Sequence, residues 1–228
     1  MSSDTENIQY TFEFKDRKAT FDVAIGDTGE DFDHQTIPEW MLLEHWQCRN
    51  CELKSNECLA CAMAIRVQSV IETFGEAMST DRVRVNVQTP QRKFMQDCDL
   101  QTGIHSLLGL LMATCGCPHL EPMRSLVNFH IPFCSTEEML TRMVGAYLTK
   151  QYFIQRDGGK PDWELDRLEA VFSNLAMVNQ DFVRRLKGVV QKDAVTNAIH
   201  AYFAISSLFA ADLKGQLERQ RGYLLNEK

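Results

Sequence analysis

Hydrophobic and polar side chains alternate with period two in two separate stretches of the first hundred residues. Tyr10, Phe12 and Phe14 are spaced by polar positions, Lys15-Asp16-Arg17-Lys18 interrupts them, and Phe21, Val23 and Ile25 resume the alternation. Successive side chains of a strand point to opposite faces, so this pattern predicts a β-hairpin over residues 10–25. Val83, Val85 and Val87 alternate again, Thr89-Pro90-Gln91 turns the chain, and Arg92–Cys98 returns. That is a second hairpin, and the two together predict a small antiparallel sheet. Residues 26–38 hold two glycines, several acidic side chains and no periodicity, and read as a loop. Trp40, Leu43 and Trp46 give the following Glu39–Trp46 an apolar face, suited to a short helix or a strand.

Elsewhere the spacing shifts towards 3.6. Ala62, Ile65, Val70, Ile71, Phe74 and Met78 predict an amphipathic helix over 59–78. From Leu100 to Cys115 the chain is apolar on nearly every side, as a buried helix would be, and Gly116 is placed to end it. Pro118, Pro122 and Pro132 exclude a long helix before Phe133. Ser135-Thr136-Glu137-Glu138 has the form of a capping box and opens a helix to about Phe153, which Asp157-Gly158-Gly159-Lys160-Pro161 separates from two more, 162–188 and 193–221. The expectation is an α+β protein: a disordered tail over 1–7, a β-rich region over 8–98 with one helix, and a helical region over 99–228, the last two forming one continuous body.

Composition narrows the function classes. The 228 residues are 44% hydrophobic and 24% charged, an ordinary globular balance, and no uncharged apolar run approaches the ~20 residues of a membrane span. Met1-Ser2-Ser3-Asp4-Thr5-Glu6-Asn7 lacks the basic and apolar regions of a signal peptide, so a cytoplasmic location and no membrane partner are expected. Residues 1–37 carry a net charge of −6 and the rest only −1. An acidic lead on a neutral body speaks against nucleic acid, whose phosphates need clustered positive charge. Arg82, Arg84, Arg92 and Lys93 concentrate such charge on the second hairpin, and the Arg82–Lys93 hairpin is the place a nucleic-acid surface would form.

Eight cysteines change the picture more. In a reducing compartment they point to metal ligation or burial rather than disulfides. Cys48, Cys51, Cys58 and Cys61 form two C-x2-C pairs six residues apart in a hydrophilic stretch, a spacing that lets four thiolates converge on one tetrahedral zinc. An iron–sulfur cluster is the alternative, though the spacing matches neither common ferredoxin run. A second concentration, Cys115, Cys117, His119 and His130, could form another metal site or line a pocket among the prolines of 115–134. Asp157-Gly158-Gly159-Lys160 lacks the first glycine and the hydroxyl residue of a phosphate-binding loop, and neither a nucleophile elbow nor H-E-x-x-H is present.

Cys51, Cys61, Ser106–Thr114, Gly116-Cys117-Pro118, Phe129-His130-Ile131-Pro132-Phe133, Gln151-Tyr152-Phe153 and Pro161-Asp162-Trp163 together resemble a family of uncharacterised bacterial proteins, a domain of unknown function, over about 38–217. The resemblance implies no activity. It does imply an exchange of histidine for cysteine at position 58, which favours a metal ligand there. The resulting expectation is a noncatalytic, zinc-stabilised regulatory or scaffold protein that binds another protein or dimerises through its last helices. The alternatives are a redox or small-molecule sensor or enzyme built on Cys117, His119 and His130, and nucleic-acid binding through the second hairpin.

Overall fold

A computed structural model describes residues 7–25 and 37–226. Of the tail expected over 1–7, residues 1–6 lie outside the described residues and Asn7 begins the first strand; of the acidic loop expected over 26–38, residues 26–36 lie outside them. Both hairpins form: β1 (Asn7–Glu13) with β2 (Lys18–Ala24), and β3 (Arg82–Gln88) with β4 (Lys93–Asp99). They join through an antiparallel β1–β3 pairing, Tyr10 opposite Val87 and Phe12 opposite Val85, into one sheet of order β2-β1-β3-β4. Alternation puts Ile8, Tyr10, Phe12, Phe21, Val23, Val83, Val85 and Val87 on its buried face.

Two helices cover that face. α1 (Ala62–Phe74) stops short of the expected Met78, because Gly75 ends the regular hydrogen bonding there. It brings Phe74 against the rings of Phe12, Phe14 and Phe21. α2 (Leu100–Ala113) is buried along most of its length and approaches the sheet at Gly103, where a Cβ would stand 2.8 Å from both Phe12 and Val85. Gly116 then adopts φ +77°, turning the chain out of α2 into a 3-10 segment over Glu121–Phe129 that Pro118 and Pro132 flank and whose first turn holds Pro122.

The remaining helices form the outer layer. α3 (Thr136–Arg156) opens with the complete capping box: Glu138 N–H donates to Ser135 Oγ at 3.2 Å and Ser135 N–H to Glu138 Oε2 at 2.7 Å. α4 (Asp166–Arg185) and α5 (Ala194–Leu224) pack on each other, and α5 also lies on α2. Ala194–Gly222 is long and apolar enough to cross a membrane by length and composition alone; here Ala198, Ile199, Phe209 and Leu213 turn its inner face into the core. One hydrophobic cluster runs from Ile8 on the sheet to Leu213 on α5, across the β-rich and helical regions.

Candidate functional site

Two hollows meet the residues singled out in the sequence. The larger, about 110 Å3, lies between α2, the 3-10 segment and helices α3 to α5. Its wall is mainly apolar, with Leu110, Leu120, Val127, Phe172, Leu175 and Phe209 among the lining side chains. An engineered apolar cavity of roughly 150 Å3 accepts benzene, so this space suits a molecule of that order.

A few polar groups interrupt the apolar wall. Ser106 and His130 belong to a network anchored on Tyr10, which is fully buried on β1. Tyr10 Oη lies 2.8 Å from Ser106 Oγ and 2.6 Å from His130 Nε2, and the Phe133 N–H donates to Ser106 Oγ at 3.1 Å. Burial, with the Arg142 cation close by, pushes the His130 imidazole down to about 3. Near neutral pH it is therefore uncharged and a poor proton acceptor. Burial also raises the Tyr10 hydroxyl, which stays protonated.

Also in the wall, His105 stacks on Tyr202 with ring centroids 3.9 Å apart. His105 Nδ1–H donates to the Ala198 carbonyl at 3.1 Å, and Tyr202 Oη donates to the His105 carbonyl at 2.8 Å. Tyr202 fits only because residue 109 is glycine: a Cβ there would collide with its hydroxyl.

Two lining side chains keep a buried polar atom without a partner, Arg142 at Nε and Asn179 at Oδ1. Arg142 donates through Nη2 to the Phe129 carbonyl at 2.8 Å and through Nη1 to Cys134 Sγ at 3.7 Å, and makes no ion pair among the described residues. A cation and an amide in the wall of a mainly apolar space can orient a ligand that carries one polar end.

The smaller hollow, about 30 Å3, is lined by Cys48, Cys51, Cys61, Cys117, His119 and Arg185 among others. The loop carrying the first three cysteines is docked on α4. Arg49 binds Asp181 Oδ2 through its backbone N–H at 2.9 Å and Nε at 3.1 Å, and Asn50 Nδ2 reaches the Asn174 carbonyl at 3.4 Å. Arg185, fully buried, donates to the carbonyls of Trp40, Leu42 and Leu43 at 2.9, 2.6 and 3.1 Å. From the other side His119 Nε2–H donates to the Asn50 carbonyl at 2.5 Å.

Burial pushes the Cys48 thiol up to about 12, and a neighbouring Cys61 thiolate would push it further while Arg185 opposes. Burial raises the Cys61 and Cys117 thiols too; Arg185 and the nearby backbone N–H groups of Met63 and Ala64 oppose this at Cys61, and those of His119 and Leu120 at Cys117. Among the described residues, no group of three or more His, Cys, Asp or Glu side chains is arranged as placed to hold a metal ion. All eight cysteines are free thiols.

The expected groupings are thus redistributed. Cys58 stands apart from the hollow, its Sγ donating to the Ala60 carbonyl at 3.0 Å. The set Cys115, Cys117, His119 and His130 is not brought together: Cys117 and His119 face the cysteine loop, His130 the larger cavity, and Cys115 lies buried at the end of α2. The stretch 120–134 does line the larger cavity. On the second hairpin Arg82 and Arg84 are paired with Asp99 at 2.6 Å and Asp97 at 2.8 Å, which neutralises much of its positive charge.

Arg185 and Asn179 belong to no motif in the sequence, and Tyr10 is marked there only as one position of the first strand's alternation. For Asn179 and Arg185 a signal exists: both fall on the apolar stripe of α4 with Leu168, Phe172, Leu175 and Phe182, where a polar side chain must find buried partners.

Both hollows fall within residues 8–223, which a family model for a domain of unknown function, DUF6901, matches. The chain belongs to this family. No curated protein and no solved structure matches it. The DUF6901 match includes β1 and β2 as well as the helices, so Tyr10 and its network belong to the family domain.

Proposed function

We propose that this chain is a noncatalytic cytoplasmic binding protein that encloses a small, mostly apolar molecule ending in an anionic group. The observation that carries the reading is the 110 Å3 apolar cavity with Arg142 in its wall, a cation without an ion pair among the described residues. A ligand carboxylate would accept from Arg142 Nε and an apolar body would fill the space between Leu110, Phe172 and Phe209. The noncatalytic part is supported by the chemistry of the surrounding groups. His130 is held neutral by burial, and the Cys134 thiol is raised by burial, the opposite of an activated base or nucleophile.

Thermal unfolding with benzoate, benzene or benzylamine tests it. Benzoate is expected to raise the midpoint most, benzylamine least, and a ligand at 100 times its Kd adds about 2.7 kcal/mol. The cavity-filling Ala113→Phe variant is expected to lose the response. No shift with any of the three, or the same shift in the filled variant, overturns the reading.

A protein partner has separate support in the exposed aromatic side chains Tyr152 and Phe153 at the end of α3 and Trp163 before α4. The Asp162 N–H donates to Gln151 Oε1 at 2.9 Å, which keeps that linker beside α3. Sedimentation of the chain and of a Phe153→Ser variant tests self-association through this face. A monomer in both removes the dimer.

A further inference from the structure

We propose that Cys48, Cys51, Cys61 and Cys117 bind one zinc ion as a four-thiolate site, with Cys58 outside the ligand set. The hollow between them is about 30 Å3, roughly twice what one water needs. Its lining includes these four cysteines, drawn from the loop before α1, the N-cap of α1 and the turn after α2, together with apolar side chains such as Leu43, Leu53, Val178 and Phe182.

Two further observations point to an ion there. Cys61 occupies the N-cap position of α1, beside the positive end of that helix, and its side chain makes no capping hydrogen bond. Finally Arg185, fully buried, lines the same hollow, has no ion pair among the described residues, and leaves its Nε without a partner. A buried cation without a counter-charge is costly, and a zinc tetrathiolate carries a net charge of −2 that would offset it.

Cys58 lacks every one of these features. Its Sγ is bonded within its own turn to the Ala60 carbonyl, and it does not line the hollow. Cys117 takes the fourth place because Gly116, at φ +77°, turns the chain towards the loop, and His119 fixes that turn to the Asn50 carbonyl, next to Cys51. Side-chain rotations must still draw the sulfurs to the Zn–S distance of about 2.3 Å. In that step four S–H bonds break, four protons pass to solvent, four Zn–S bonds form, and no electron is transferred.

The test is elemental analysis of the full chain purified without chelator, together with the variants Cys58→Ser and Cys117→Ser. Wild type and Cys58→Ser are expected to carry one zinc per chain. Cys117→Ser should bind zinc at least about 100-fold more weakly, since even outer-shell partners are worth about 10- to 100-fold. Should Cys117→Ser fail to fold, alkylation mapping of the wild-type chain decides: with zinc bound, Cys58 is labelled while Cys48, Cys51, Cys61 and Cys117 are protected until a strong zinc chelator is added. Zinc lost in Cys58→Ser, protection of Cys58 with labelling of Cys117, iron with visible absorbance, disulfides among the four, or no metal in the wild-type chain each overturns the proposal.

Discussion

His130 makes the fold sensitive to mild acid, by an amount that follows from its surroundings. Its Nε2 lies 2.6 Å from the hydroxyl of a fully buried tyrosine, and burial with the nearby Arg142 cation lowers the imidazole from 6.5 to about 3. The folded value lies below the unfolded one, so the unfolded chain binds the proton more readily. The stability this provides is present above about pH 6.5 and is lost as pH falls through that value towards 3. Between pH 7 and pH 5 the loss is about 2 kcal/mol, set almost wholly by the unfolded value of about 6.5. Any folded value below about 4 gives nearly the same figure, because the native imidazole is then still neutral at pH 5. The perturbation is His130→Gln, whose amide retains a hydrogen-bonding group towards Tyr10 but does not titrate. Urea unfolding of both chains at pH 7 and pH 5, followed by far-ultraviolet circular dichroism, gives the four free energies needed. Other titrating groups act in both chains and cancel in the difference. The variant should lose about 2 kcal/mol less than the wild type over that range. Equal losses would refute the claim that the enclosed histidine is neutral.

Two other perturbations test the packing around the two hollows. Arg185→Met keeps an apolar stem on α4 but leaves the carbonyls of Trp40, Leu42 and Leu43 without their donor; a loss of about 3–5 kcal/mol in urea unfolding is expected, and under about 1 kcal/mol would show that the three bonds do not hold the loop. Gly109→Ala places a methyl against the Tyr202 hydroxyl and should cost about 1–3 kcal/mol and disturb the His105–Tyr202 stack, read by the near-ultraviolet dichroism of the tyrosine; an unchanged spectrum and stability would mean that Tyr202 has room to move.

The sequence by itself determined which segments become strands and helices and which faces they bury. Period-two alternation at Tyr10, Phe12, Val83, Val85 and Val87 is a local property of each strand, and all five side chains are buried together on one face of the sheet. The capping box at Ser135 and Glu138 is equally local, since all its bonds close within four residues. Boundaries were less legible where helix propensity outlasted the packing: α1 ends at Phe74 although apolar spacing continues to Met78, which is exposed.

Only the tertiary structure decided which buried faces meet. No periodicity states that β1 pairs with β3, that Tyr10 reaches His130 from 120 residues away, or that Cys117, not Cys58, comes to lie with Cys48, Cys51 and Cys61. Spacing within a C-x2-C pair limits how far apart its two sulfurs can lie, but Cys117 reaches the same hollow only through the turn at Gly116 and the docking of the cysteine loop on α4. Arg185 shows the same limit: its place on the apolar stripe marks it as buried, while the three carbonyls that receive it belong to residues more than 140 positions earlier. Local chemistry encodes the shape of each surface; the fit between distant surfaces, and therefore both hollows, exists only once the chain is folded.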